Sequence, residues 1–269
     1  MDRSFKDAAL VIIGHGSTQN PQSSKATLDH ADDLRQRDLF AEVRVGFWKE
    51  APKLDQCLEG IAAETIYLVP NLACKGYITG EVIPAAMGLT GTITERDNKK
   101  LVLCDPVGTH PLMAEVLADR ACSIITEHGL HPDHTCLILV GHGSSRNRKS
   151  AIQTEAVAAK LAEMQLAADV RTAFLEHPPL VNEWHNDTAK GNVIVIPFMI
   201  SNGLHGAEDV PRLLSLDPLD PALIHLAETG TPAGPFERHG RQVWYCRAVG
   251  CERRIADVIL RQVESASRI

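Results

Sequence analysis

Short apolar, β-branched runs alternate along the chain with longer segments of helical period. In the first half the apolar runs lie at Ala8–Ile13, Glu42–Phe47, Glu64–Pro70 and Lys100–Cys104. Runs of this length and composition read as strands buried on both faces. Helical patterns fall near Ser23–Arg37 and Pro52–Ala62, with a last helix near Leu112–Glu127. The second half repeats the order, with strands expected at Thr135–Val140, Val170–Phe174, Val193–Met199 and Gln242–Arg247. Strand–helix alternation with short loops predicts an α/β protein with a doubly wound, Rossmann-like parallel sheet in each half.

The two halves also match residue by residue. His15 and His142, Asn20 and Asn147, Phe47 and Phe174, Pro70 and Pro197, Glu81 and Glu208 are all separated by 127 positions. A constant offset from Leu10 to Leu89 marks an internal duplication rather than a solenoid. Further on, Leu103–Gly108 aligns with Tyr245–Gly250 at an offset of 142, so the second copy gains 142 − 127 = 15 residues. The gain falls in Asp217–Gly240, a Pro- and Gly-rich stretch whose position suggests a lid. The junction is placed in the polar, punctuated segment His128–His134. Two lobes are therefore expected, 1–130 and 131–269.

Composition narrows the function. The chain has 269 residues, is 44 % apolar and 23 % charged, and carries a net charge of −7. Its acidic balance argues against nucleic acid as a partner, because phosphate neutralisation needs a basic surface. No run approaches the ~20 apolar residues of a membrane helix. The opening MDRSFKDAALVII reads as a first strand, not as a signal peptide. Seven dispersed cysteines without a CxxC pair point to a reducing, cytoplasmic setting, with neither a disulfide framework nor a zinc ribbon. Cys246 and Cys251 read as core packing and a helix start. A monomer or a homodimer fits equally well.

Ligands of open α/β sheets bind at the carboxyl ends of strands. Each half places a Gly-His-Gly-Ser turn there, at Gly14–Ser17 and Gly141–Ser144. In the second half the strand ends also carry Glu176 and, after Gly203, His205. Two imidazoles and a carboxylate suit a borderline-to-hard divalent metal and accept protons. In the first half Lys49 stands at the position of Glu176, and Ile78 at that of His205. An ammonium and an aliphatic side chain would abolish such a metal site. Glu50 neighbours Lys49, but a one-residue shift at a strand end points elsewhere.

These motifs resemble a known family. The His-Gly-Ser turn, Phe174-x-Glu176-x-x-Pro179, and the run from Pro197-Phe198 through Gly203 and His205 to Asp209-x-Pro211 are similar to the class II tetrapyrrole chelatases. The match is to CbiX-type sirohydrochlorin chelatases in their long, two-lobed form. The resemblance implies insertion of a divalent metal, Co2+ before Fe2+ or Ni2+, into sirohydrochlorin or a related tetrapyrrole for cobalamin or sirohaem synthesis. The metal is then a substrate, and no organic cofactor is expected. His142 and His205 would be the catalytic histidines and Glu176 the metal-side carboxylate, with Gly143, Ser144, Gly203 and His15 contacting the macrocycle.

Other readings stand beside it. The chain could bind a tetrapyrrole or metal without turnover, as the degenerate first lobe suggests. A hydrolase using Ser17 or Ser144 lacks the Gly-x-Ser-x-Gly elbow. His15 reads as structural or as a substrate contact. Arg146, Arg148 and Lys149 either steer an acidic macrocycle or form a solvated helix face. Glu208 and Asp209 read as acids favouring a helix start. His128, His131 and His134 read as a surface cluster.

Overall fold

The computed structural model describes residues 5–144 and 148–268. The first repeat runs β1 (Phe5–Gly14), α1 (Gln22–Gln36), β2 (Phe40–Phe47), β3 (Thr65–Pro70), a π-helical turn (Ile78–Val82) leading into α2 (Ile83–Met87), β4 (Ile93–Arg96), β5 (Lys99–Leu103) and α3 (Leu112–Glu127). The second runs β6 (Thr135–Gly141), α4 (Lys149–Glu163), β7 (Asp169–Phe174), β8 (Asn192–Pro197), a π-helical turn (His205–Asp209) leading into α5 (Val210–Leu213), α6 (Pro221–Thr229), β9 (Ala233–Arg238), β10 (Arg241–Tyr245) and α7 (Ile255–Ala266).

Two five-stranded sheets result, ordered β2-β1-β3-β5-β4 and β7-β6-β8-β10-β9. Their registers are copies of each other. Leu10 pairs with Val43 and Tyr67, and Leu137 pairs with Val170 and Ile194. Each sheet is parallel except for one antiparallel edge strand, β4 or β9. In both sheets the first strand lies between the second and third. The chain therefore leaves its carboxyl end in opposite directions, which opens a crevice there.

The segment Pro52–Ala62 is not the helix its periodicity predicts. Leu54, Cys57 and Ile61 are buried at helical spacing, but the backbone forms successive turns. Its start is tied to the sheet: Phe47 N–H donates to Pro52 O, and Phe47 bridges Lys53. The Asp217–Gly240 insertion is not a loose lid either. It folds as α6 and β9, and Leu223, Leu226 and Ala233 join Ile138, Val195 and Tyr245 in one buried cluster.

The compact units do not coincide with the sequence repeats. One unit comprises the chain up to His110 together with Arg253 onward, and the other runs from Pro111 to Glu252. The last helix of each repeat thus belongs to the unit built on the other repeat's sheet. In the first unit α7 packs on α1 and β3. It buries Ile255, Val258, Ile259 and Val263, and Gln262 Nε2 donates to Pro106 O at 2.8 Å. Arg37 pairs with Asp257 at 2.5 Å. In the second unit α3 packs on α4, and Arg120 pairs with Glu252. No helix among the described residues is long and apolar enough to cross a membrane.

Candidate active site

Three strand ends of the second unit converge. β6 ends in Gly141 and the His142 turn. Gly143 has φ +74°, and a Cβ there would sit 2.9 Å from the His177 ring, so the turn requires glycine. The backbone N–H groups of Leu175 and Glu176, beyond β7, both donate to His142 O, at 3.2 and 3.3 Å. These bonds hold the Glu176 carboxylate beside the imidazole, with Oε1 3.7 Å from His142 Nδ1. Beyond β8, buried Gly203 opens the turn that presents His205, and Ala207 N–H donates to Gly203 O at 3.0 Å. The His142 and His205 rings meet edge to face, with centroids 4.8 Å apart and planes at 82°.

The hydrogen bonds settle which ring nitrogens hold lone pairs. His142 Nδ1 lies 3.1 Å from Gly143 O, a group that only accepts. His205 Nδ1 lies 2.7 Å from Asp209 Oδ2. With Nδ1 as the donor in both bonds, each neutral ring keeps its lone pair on Nε2. A carboxylate bonded to the distal nitrogen orients an imidazole. Asp209, read from the sequence as a helix-start acid, also bonds the His205 ring. The available signal was its spacing: residues four apart on a helix share a face. Glu208, by contrast, pairs with Arg212 at 2.8 Å.

These groups line a cavity of about 390 Å³ with Leu175, Arg212 and Leu213. The side chains of His142, Glu176 and His205 are 42 %, 44 % and 47 % exposed, so a solute reaches all three. A larger hollow, about 590 Å³, lies beside edge strand β7 and α4. It holds none of the strand-end groups, whereas the smaller cavity is lined by His142, Glu176 and His205. Among the described residues no three His, Cys, Asp or Glu side chains already stand as a metal cage. A cation entering here meets a half-open cluster.

The other predicted residues fall as follows. Ser144 continues the His142 turn. Arg148 is exposed and pairs with Glu155 at 2.8 Å, and Lys149 opens α4. Arg146 lies outside the described residues. His128, His131 and His134 are exposed. Cys246 is fully buried, and burial pushes its thiol up to about 12. Cys251 sits in a short 3-10 turn and is half-buried.

His15 belongs to the first unit, whose strand ends hold different neighbours. Lys49 N–H donates to His15 O at 2.9 Å, copying the backbone pattern around His142. The His15 ring meets Trp48 edge-on at 5.1 Å. The Lys49 ammonium lies 3.7 Å from the Trp48 ring centroid. Glu50, expected to point elsewhere, instead folds back onto the His15 turn: its Oε2 accepts from Ser17 N–H at 3.1 Å, and a Cβ on Gly16 would sit 2.7 Å from its Cγ. Ile78 is half-buried against the apolar core.

Comparison with known proteins agrees with this architecture. The CbiX family model matches residues 9–124 and again 136–266. The chain belongs to the CbiX family. A "Probable sirohydrochlorin cobaltochelatase" of Halobacterium salinarum is 34 % identical over 275 residues, covering 96 % of this chain and 91 % of that protein. The sirohydrochlorin cobaltochelatase of Methanosarcina barkeri is 29 % identical over 136 residues, which is 48 % of this chain but 95 % of that protein. A CbiX relative is thus nearly complete in the length of one repeat. Among solved structures, the multi-domain protein DR2241 of Deinococcus radiodurans, described as structurally similar to chelatases, superposes with a TM-score of 0.76 at 26 % identity. The match covers 95 % of this chain and 54 % of that one.

Proposed function

We propose that this chain is a sirohydrochlorin chelatase, a lyase-type enzyme that inserts a divalent metal into the tetrapyrrole. Cobalt is the favoured ion, following the names of its CbiX relatives, and Fe2+ and Ni2+ are the alternatives. The reading includes a cytoplasmic enzyme serving cobalamin or sirohaem synthesis. The observation that carries it is the edge-to-face pair of His142 and His205, backed by Glu176 and Asp209, at the open end of the second sheet.

Insertion exchanges M2+ for two pyrrole N–H protons. Two tasks follow: the metal must shed water near the ring, and the protons must be accepted. His142 and His205 keep Nε2 lone pairs for either task, because their Nδ1 atoms are engaged. Glu176 and Asp209 add negative charge that draws the cation and stabilises an imidazolium once a proton has arrived. Metal preference follows from how these His and carboxylate groups close on the ion, since such ligands accept several divalent metals.

The test is anaerobic spectroscopy. Sirohydrochlorin and purified protein are mixed with Co2+, Fe2+ or Ni2+ in turn, and macrocycle absorbance is followed against a no-enzyme control. Enzyme-dependent conversion, fastest with Co2+ and lost in His205→Ala, is expected. A shifted spectrum on mixing, with no conversion for any metal, would replace the enzyme with a non-catalytic tetrapyrrole-binding protein.

A further inference from the structure

Each sheet has an edge strand that follows the repeat's first helix, β2 in one unit and β7 in the other. A bare strand edge is a row of unpaired N–H and C=O groups that invites another strand. The first repeat stitches its edge with arginines. Arg35 of α1, itself paired with Asp32, donates from Nε to Val43 O at 2.9 Å, and Arg44 donates to Glu59 O. At the offset of 127 the second repeat carries Ala159 and Ala162 where Asp32 and Arg35 stand, and Val170 where Val43 stands. The hollow of about 590 Å³ opens there, with Ala159, Ala162, Val170 and Arg171 in its lining. Phe174 N–H leaves β7 on the side away from β6, toward Pro179 O. Alternation along the strand puts the backbone groups of Thr172 and Val170 on that same outer edge. Among the described residues they meet no partner there.

We infer that the outer edge of β7 docks a second copy of this chain, the two β7 strands pairing antiparallel about a two-fold axis at Val170. The charges choose that register. Opposed residues of an antiparallel pair lie on one face, so with Val170 opposite its own mate, Asp169 of each copy faces Arg171 of the other. An axis at Asp169 or at Arg171 would instead set like charges face to face. The N–H and C=O of Val170 exchange two hydrogen bonds across the axis. Asp169 and Arg171 are joined within one chain only at 3.4 Å, and in the pair they form two ion pairs between chains. Ala159 and Ala162 leave room for the incoming strand where Asp32 and Arg35 of the first repeat would obstruct it. The pairing is independent of the chelatase reading.

Sedimentation velocity of the full chain, from micromolar to submillimolar concentration, is the test. A reversible dimer is expected. Arg171→Asp should weaken it by at least about tenfold, because two like-charge pairs replace two attractive ones. Asp169→Arg should do the same. An equimolar mixture of the two variants should restore the dimer, as should the double exchange Asp169→Arg with Arg171→Asp. Ala162→Arg, which copies the edge cap of the first repeat, should leave a monomer. Far-UV circular dichroism checks that each variant folds. Ala162 and Arg171 are exposed, so their variants decide the matter if Asp169→Arg unfolds. A monomer at every concentration would overturn the pairing and leave the edge to an extended segment of another protein. A dimer that survives both Arg171→Asp and Ala162→Arg would place the contact on another face and overturn it equally. Folded single variants that fail to recover the dimer on mixing would overturn the register.

Discussion

At the end of β6 an imidazole meets a second imidazole and Glu176, with Asp209 bonded to the second ring, whereas at the end of β1 the equivalent imidazole faces an indole carrying an ammonium. The backbone that delivers them is the same. In both units the residue two beyond the phenylalanine that ends the second strand sends its N–H to the carbonyl of the strand-end histidine. The difference teaches that the frame and the chemistry of this fold are separable. The turn, the register and the π-helical start persist in both units. The side chains on top are free to change sign.

The largest expected effect tests whether the two histidines are equivalent. His205→Ala should slow metal insertion by about 10²–10⁴-fold, the range for loss of a general base. His15→Ala should cost less than about threefold at saturating macrocycle. Equal losses in initial-rate assays would mean that the first unit takes part in the chemistry. Next comes the shared frame. Gly108 and Gly250 occupy matching places, and a Cβ at either would fall 2.0–2.2 Å from backbone atoms of Ala73 or Ile200. Each Gly→Ala change should destabilise by at least about 3 kcal/mol, since the backbone itself must move. Urea midpoints that fall for only one of them would break the symmetry of the frame.

Removing the support behind His205 should cost less than removing the ring. Asp209→Asn is expected to lower kcat by about 10–100-fold, as loss of an orienting partner does. The first unit has Val82 at that position, so Val82→Asn should leave kcat unchanged within about twofold. The smallest effect concerns the cores, which should behave alike. Burial pushes the Cys246 thiol up to about 12 from an ordinary 9.0, and raises that of Cys104 further. The unfolded chain ionises first at these positions, so their contribution to stability falls as pH rises above 9.0. At pH 8.5 both should resist iodoacetamide in the folded protein and react in urea. Labelling of Cys246 alone in the folded state would mean that the second core opens more readily than the first.

Much of this was legible in the sequence for a physical reason. Buried parallel strands are continuous apolar runs, and all eight expected strands form, although β2 and β7 lie at sheet edges and are only partly buried. His142, Glu176 and His205 were legible as neighbours because strand ends in this topology share one edge. Other features were not. The edge strands β4 and β9 are short and carry charge, at Glu95 and Arg96 and at Glu237 and Arg238, so they lack an apolar signature. Pro52–Ala62 has helical spacing without helical backbone, because burial periodicity does not report where the chain is anchored. The Asp209–His205 contact was masked by a generic preference for acids at helix starts.

The exchange of α3 and α7 was also hidden, since an amphipathic face does not say which sheet it will cover. It bears on the order of manufacture. A ribosome makes the first sheet early, but the helix that covers α1 and β3 emerges last. The unit begun first is therefore the one finished last, and the second unit is complete by Glu252. Nascent chains arrested before α7 should yield a protease-resistant second unit beside a still-digestible first one. Scission within His128–His134 would give two fragments that each hold the other's missing helix. They would be expected to regain their fold only on mixing.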